Sequence, residues 1–152
     1  TAGAGWEEEQ EPEGESRMNR KEADLVAMLA RQWIEAGNAP DALAIIAPYA
    51  AQVRLLRQRL SAQGIEVDTV DGFQGREKEA ILISMVRSNN SGEIGFLSDT
   101  RRMNVAITRA RRLLVLIGDS ATVTCDPFFG RLLEHVERHG VYQSVWEYPE
   151  VM

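Results

Sequence analysis

Five arginines lie within twelve residues, at positions 101–112. A guanidinium group presents its donors as a fixed fork that matches phosphate oxygens, and one aimed at a transferring phosphoryl group stabilises the charge that develops there. Arg109, Arg111 and Arg112 also follow a predicted helix, where each cation stabilises the carbonyl end of the helix dipole by about 0.3 to 1 kcal/mol. Phosphate binding and helix-end stabilisation are therefore both open, and the residues alone slightly favour the second.

Residues 71–77 form a second unusual segment, which follows a predicted strand and contains two glycines. Glycine permits tight turns and lets the backbone approach a ligand closely. The segment matches neither a Walker A phosphate loop nor a dinucleotide-binding fingerprint. Composition alone indicates an ordinary turn, with ligand binding as the alternative.

Helices alternating with short apolar strands are predicted around these segments. Apolar residues at helical spacing predict four helices and apolar runs predict five strands, in the chain order 20–36 (helix), 43–47 (strand), 53–60 (helix), 65–70 and 80–86 (strands), 99–109 (helix), 113–118 (strand), 128–139 (helix) and 142–148 (edge strand). Continuously apolar strands are typical of a parallel sheet covered on both faces. We predict an α/β three-layer sandwich, RecA-like or flavodoxin-like, and expect both unusual segments at or near the carboxyl ends of strands, where ligands gather.

The net charge of −6 is concentrated in the first sixteen residues, which contain six glutamates and neither Lys nor Arg. From residue 17 onward, acidic and basic side chains are equal in number. After Trp6 the segment has too few apolar side chains to offset the entropy lost on ordering. We therefore predict a flexible acidic segment over residues 1–18, preceded by the end of a strand, and one folded domain over residues 19–152. A solvated loop is favoured there over a partner-binding tail.

The longest apolar run, residues 113–117, is too short to cross a bilayer, so no membrane partner is expected. The chain begins with Thr1 rather than Met and has no basic and then apolar leader. We expect a piece of a longer polypeptide that is cytoplasmic, or nuclear in a eukaryote, and not secreted. The single cysteine, Cys125, has no partner for an internal disulfide.

Several strings of residues occur in a recognisable order and spacing: IIAPY at 45–49, VDGFQGREKE at 70–79, VRSN at 86–89, GFL at 95–97 and RRMNVAITRAR at 101–111. The first resembles motif IV, and the others resemble motifs V and VI, of the superfamily 1B helicases of the up-frameshift and immunoglobulin-mu-binding-protein type. The resemblance covers nearly the whole chain. It implies the C-terminal RecA-like lobe of such a helicase, with the fold of a P-loop NTPase but without Walker motifs of its own.

The resemblance implies a nucleotide-binding role for four residues. Arg109 matches the arginine finger that reaches the γ-phosphate of ATP across the cleft between two RecA-like lobes, which makes it the candidate catalytic residue. Gly75 and Glu77 match motif V contacts to the nucleotide, Glu77 through the ribose hydroxyls. Gln74 is expected to support the same loop.

The resemblance also implies a nucleic-acid-binding group: Pro48, Tyr49, Thr69, Asp71 and Arg102. Backbone amides and a hydroxyl in such a group hold phosphates without reading bases. For Tyr49 a packed aromatic at the edge of the core is an equal alternative. Arg102 either binds phosphate or braces the finger, and Arg87 is either a salt-bridge partner or a nucleic-acid contact.

The lysine of a Walker A motif and the carboxylates that would hold Mg²⁺ are not found in the sequence, and no residue is predicted to bind a metal. The resemblance implies that ATP and Mg²⁺ are held mainly by the preceding lobe of the same polypeptide. We therefore expect the second motor lobe of an ATP-dependent helicase that moves on single-stranded DNA or RNA, 5′ to 3′ by resemblance, and a chain without ATPase activity alone. The alternative is a binding module that keeps the fold without motor activity.

Overall fold

A short hairpin and a four-stranded parallel sheet make up the strands of the computed structural model, which describes residues 5–73 and 75–152. The hairpin pairs β1 (Glu9–Gln10) with β2 (Arg17–Met18) in antiparallel orientation. The sheet has the order β4-β3-β5-β6 and consists of β3 (Leu43–Ile46), β4 (Glu66–Asp68), β5 (Lys78–Ser84) and β6 (Ala110–Ile117).

Helices cover both faces of this sheet. One face carries α1 (Arg20–Glu35) and α2 (Ala50–Arg59), and the other carries α3 (Thr100–Ile107), α4 (Ser120–Val123) and α5 (Pro127–His139). Successive side chains of a strand point to opposite faces. Buried residues of β3 accordingly alternate between the two core clusters, which confirms the predicted three-layer α/β sandwich of RecA-like type.

Short polar side chains fix the starts of the helices. Asn19 accepts a hydrogen bond from the backbone N–H of Glu22 at the start of α1, and Asp99 accepts one from Arg102 at the start of α3. Asp119 and Asp126 do the same for α4 and α5. Such caps satisfy backbone donors that have no partner within the helix.

The predicted edge strand at 142–148 is wrong. The structure has a 3₁₀ turn there, Val145–Glu147, and a second 3₁₀ turn, Pro149–Val151, follows it. Ser144 and Glu147 form a reciprocal capping box that closes the first turn, and Pro149 has no N–H to donate to a sheet. Local hydrogen bonds thus take this apolar stretch out of the sheet.

The acidic segment differs in its contacts from the loop we expected. Its hairpin packs on the domain, and Trp6 is only 1% exposed, within the core beneath α1. The Trp6 carbonyl accepts a hydrogen bond of 2.6 Å from Asn19 Nδ2. Because a tryptophan buries a large apolar area, this side chain helps to anchor a stretch whose composition is otherwise polar.

A buried carboxyl group joins α1 to the end of β5. Glu22 is fully buried, and its Oε1 accepts hydrogen bonds from Ser84 Oγ (2.6 Å) and from the Val86 backbone N–H (2.7 Å). Its Oε2 has no hydrogen-bond partner among the described residues. Burial raises the pKa of Glu22 from 4.5 to about 7, although the bonds from Ser84 and Val86 act to lower it.

We expect Glu22 to make the fold less stable as the pH rises. Its pKa is higher in the folded than in the unfolded chain, so the folded state binds the proton more tightly between pH 4.5 and about 7. Across that window the free energy of unfolding falls, by up to about 3 kcal/mol from this group. Urea unfolding at about pH 5 and about pH 8 measures the fall.

The matched variant is Glu22→Gln, which keeps the shape of the side chain but cannot ionise. We expect a smaller difference between the unfolding free energies at the two pH values in this variant than in the original chain. An equal difference in both proteins would contradict a raised pKa of Glu22.

Candidate nucleotide and nucleic-acid interfaces

The predicted nucleotide-binding residues lie at the amino ends of β5 and β6. Glu77 immediately precedes β5, and Arg109 immediately precedes β6. The strands are parallel neighbours in which Lys78 pairs with Ala110, and the Lys78 N–H donates to the Arg109 carbonyl at 3.1 Å. The sheet therefore brings the two predicted contacts side by side.

The expectation that residues 108–112 lie at or near a carboxyl end is wrong. Strand β6 begins at Ala110, three positions before the predicted start. The start was missed because the charged side chains of Arg111 and Arg112 interrupt the apolar pattern. Charged side chains are nevertheless common in a strand at the exposed edge of a sheet. The arginine-rich segment thus leads into its strand.

Arg109 is oriented by two hydrogen bonds. Its Nε donates to the Val105 carbonyl at 3.1 Å, and its Nη2 donates to Thr108 Oγ1 at 3.1 Å. No carboxylate lies within ion-pair distance of it among the described residues. The bond to Val105 satisfies a carbonyl near the end of α3, so the helix-end interpretation applies to Arg109 in part. The remaining donors of its fork are available to a ligand.

Three of the other arginines in the segment are paired with carboxylates. Arg111 contacts Glu77 at 3.2 Å and Glu79 at 3.5 Å, and Arg112 contacts Glu79 at 3.0 Å. Both arginines lie in β6, so neither stabilises a helix end. Arg102 is paired with two aspartates near the start of α3.

The loop before β5 gives the other predicted nucleotide contacts. Gly75 has φ +77°, a conformation that favours glycine, and no atom lies within 4 Å of where a side chain would begin. Glu77 is about half exposed and held by Arg111, so a ligand hydroxyl would have to compete with that cation. Gln74 lies outside the described residues.

Four of the five predicted nucleic-acid contacts line one shallow depression at the carboxyl ends of β3 and β4. Its lining consists of Pro48, Thr69, Val70, Asp71, Phe96, Arg102 and Met103. Arg102, half exposed, reaches Asp71 at 3.3 Å and Asp99 at 3.5 Å. The depression therefore offers a hydroxyl, backbone groups and a guanidinium whose carboxylate partners are themselves exposed.

Tyr49 lies beneath this depression and does not open into it. It is 3% exposed, and its hydroxyl accepts hydrogen bonds from Arg87 Nη1 (3.1 Å) and from the Phe96 N–H (3.2 Å). The structure thus supports the packed alternative for Tyr49. A nucleic-acid role for it would have to act through the Phe96 segment.

Arg87 is a buried salt-bridge partner. Its Nε donates to Glu8 Oε2 at 2.8 Å, and both side chains are 6% exposed. Burial acts to lower the pKa of Arg87, but the hydrogen bonds with Glu8 and Tyr49 outweigh it and the pKa is raised. The pair was missed in the sequence because its members lie 79 positions apart.

Gly95 is packed against Arg87 and Tyr49. Its φ is +53°, and a Cβ built on it would overlap Arg87 Nη1 and Tyr49 Oη. Any larger residue must therefore push the 94–98 segment away from Tyr49.

We expect Gly95→Ala to lower the free energy of unfolding by about 2 kcal/mol or more, because backbone strain and overpacking add. Gly37→Ala is the matched control: Gly37 has φ +92°, with no atom within 4 Å of its Cβ position, so only strain applies there. Urea unfolding of both variants measures the difference. Equal losses would show that the contact with Arg87 and Tyr49 is not restrictive.

No metal site or membrane helix is found in the part of the chain that the structure describes. No group of three or more His, Cys, Asp or Glu residues is placed to hold a metal ion there. No helix among those residues is long and apolar enough to cross a membrane.

Comparison with known proteins gives consistent matches to helicases. A family profile described as an AAA domain matches residues 3–121. The chain is 46% identical over 97% of its length to "DNA-binding protein SMUBP-2" of Mus musculus, and 45% identical over 86% to "DNA polymerase alpha-associated DNA helicase A" of Schizosaccharomyces pombe. It is 38% identical over 88% to "Regulator of nonsense transcripts 1" of Dictyostelium discoideum.

The chain spans 15%, 20% and 11% of the lengths of these three relatives. The profile covers well over half of the chain, and the matched stretch contains both interfaces described above. The chain therefore belongs to the superfamily 1B helicases, as a C-terminal RecA-like lobe with the role of a helicase domain.

Proposed function

We propose that this chain is the second motor lobe of an ATP-dependent nucleic-acid helicase and supplies the arginine finger of its ATP site. The observation that carries the proposal is the state of Arg109, which is held by Val105 and Thr108 but has no carboxylate partner among the described residues. Three of the four other arginines in its segment are paired. A fixed, unpaired guanidinium is suited to a phosphate that arrives from outside the lobe.

The described residues fit one side of a nucleotide. Arg109 would face the terminal phosphate, and Glu77, two residues after Gly75, would accept hydrogen bonds from the ribose hydroxyls. ATP supplies the phosphoryl group that is transferred to water. The phosphate-binding lysine and the carboxylates for Mg²⁺ would come from the preceding lobe of the same polypeptide, so this chain alone would not hydrolyse ATP.

The depression lined by Pro48, Thr69, Asp71 and Arg102 would form part of the channel for a single strand of DNA or RNA. Arg102 and Arg109 lie seven positions apart, at the two ends of α3. The eight residues of α3 extend about 12 Å. Closure of the lobes on ATP would therefore move Arg102, at the nucleic-acid interface, together with Arg109, at the nucleotide. The family resemblance implies movement in the 5′ to 3′ direction.

Mixing experiments test the finger. We expect no ATPase activity from the chain alone, and turnover stimulated by single-stranded nucleic acid when a separately expressed preceding lobe is added. Arg109→Ala should lower the turnover of the mixture by about 10³-fold, because the charge on the transferring phosphoryl group loses its partner.

Arg112→Ala is the matched control, since Arg112 is 85% exposed, pairs only with Glu79 among the described residues and lies three residues from Arg109. We expect it to leave turnover within about twofold, as for a surface ion pair. Normal turnover in Arg109→Ala would remove Arg109 from the mechanism. A silent mixture that still binds single strands would instead favour a binding module that keeps the fold without motor activity.

A further inference from the structure

Phe96 is an exposed aromatic side chain in the depression that is proposed to bind a single strand of nucleic acid. It lines the depression together with Pro48, Thr69 and Arg102, and it is 59% exposed. The exposed part of the phenyl ring does not stabilise the folded state, because apolar stabilisation is proportional to the area removed from water. The exposed ring, beside the predicted nucleic-acid contacts, therefore offers an apolar face to a ligand.

The Phe96 ring is held in place from below. Its ring centroid lies 5.2 Å from that of Tyr49, with the planes tilted by 30°, and its backbone N–H donates to Tyr49 Oη. Tyr49 is held by Arg87, which is held in turn by Glu8. Because three buried side chains support it, the exposed ring is fixed in advance of binding, and less ordering entropy opposes contact with a ligand.

The surroundings of Phe96 match one nucleotide of a single strand. The guanidinium of Arg102, half exposed, and the Thr69 hydroxyl line the same depression. An aromatic face next to a cationic fork is the combination that binds a base by stacking and its phosphate by charge, without reading the sequence. The chain has a net charge of −6, so phosphate contacts alone would give it little affinity.

We propose that Phe96 is a stacking platform for one base of a bound single strand, supported by Tyr49 and Arg87. This rests on the proposed function, because it needs a single strand in the depression. It assigns the aromatic contact to Phe96 and makes Tyr49 a positioning residue.

The test compares two fluorescently labelled strands of equal length, an oligothymidine and an abasic strand that has the same sugar-phosphate chain without bases. Fluorescence anisotropy gives the affinity of the 152-residue chain for each. We expect Phe96→Ala to weaken binding of oligothymidine by roughly tenfold and to leave the abasic strand unaffected. Phe96→Tyr, which keeps an aromatic face, should restore the affinity.

Two control variants separate stacking from other causes. Trp146→Ala removes another exposed aromatic side chain, 72% exposed and outside the depression, and should change neither affinity. Arg102→Ala removes a proposed phosphate contact and should weaken both strands alike.

Each remaining outcome is decisive. Equal weakening of both strands by Phe96→Ala would mean that the ring only shapes the loop, and unchanged binding of both would mean that it contacts no base; either result overturns the stacking proposal alone. If the original chain binds neither strand, the nucleic-acid interface and the platform both fail.

Discussion

The pairing of β5 with its two neighbours is the constraint on which both interfaces depend. β5 is flanked by β3 on one side and β6 on the other, all parallel. The amino end of β5 brings Glu77 next to Arg109. Its carboxyl end leads into Arg87, close to the depression of the candidate nucleic-acid interface. Because hydrogen bonds of a parallel ladder fix the register residue by residue, the separation of the two interfaces is set by the length of one seven-residue strand.

A buried polar junction secures the carboxyl end of that strand. Glu22 holds Ser84 and the Val86 N–H, and Arg87, the next residue, holds Glu8 and Tyr49. Buried charges and carboxyl groups are costly without partners, and removing one partner typically costs about 3 to 5 kcal/mol. The junction therefore specifies one arrangement of the hairpin, α1 and the Phe96 loop, and the platform inherits its rigidity from groups with no direct part in binding.

The sequence predicted the sandwich because apolar residues at helical spacing and apolar runs of strand length are local signals. The prediction failed where contacts between residues far apart in the chain determine the structure. Glu8 is one of six similar glutamates, and only the fold shows that it meets Arg87. The motifs identified most of the depression, but they did not show that Tyr49 is covered and that the adjacent ring is exposed, since burial depends on neighbours that spacing does not reveal.

The ion pairs of the arginines would affect how the proposed motor lobe releases a strand of nucleic acid. Arg102 is shared between Asp71 and Asp99, so a phosphate bound by Arg102 in the proposed interface would have to displace carboxylates that are already in place. This exchange would lower the net gain per contact below that of a free cation, and a chain with a net charge of −6 adds no long-range attraction. Affinity supplied by stacking on a fixed ring does not depend on this exchange. In the proposed motor lobe, this arrangement would hold one nucleotide firmly enough to move it and weakly enough to let it go. Arg109, which has no carboxylate partner among the described residues, would remain available to ATP at the opposite end of α3.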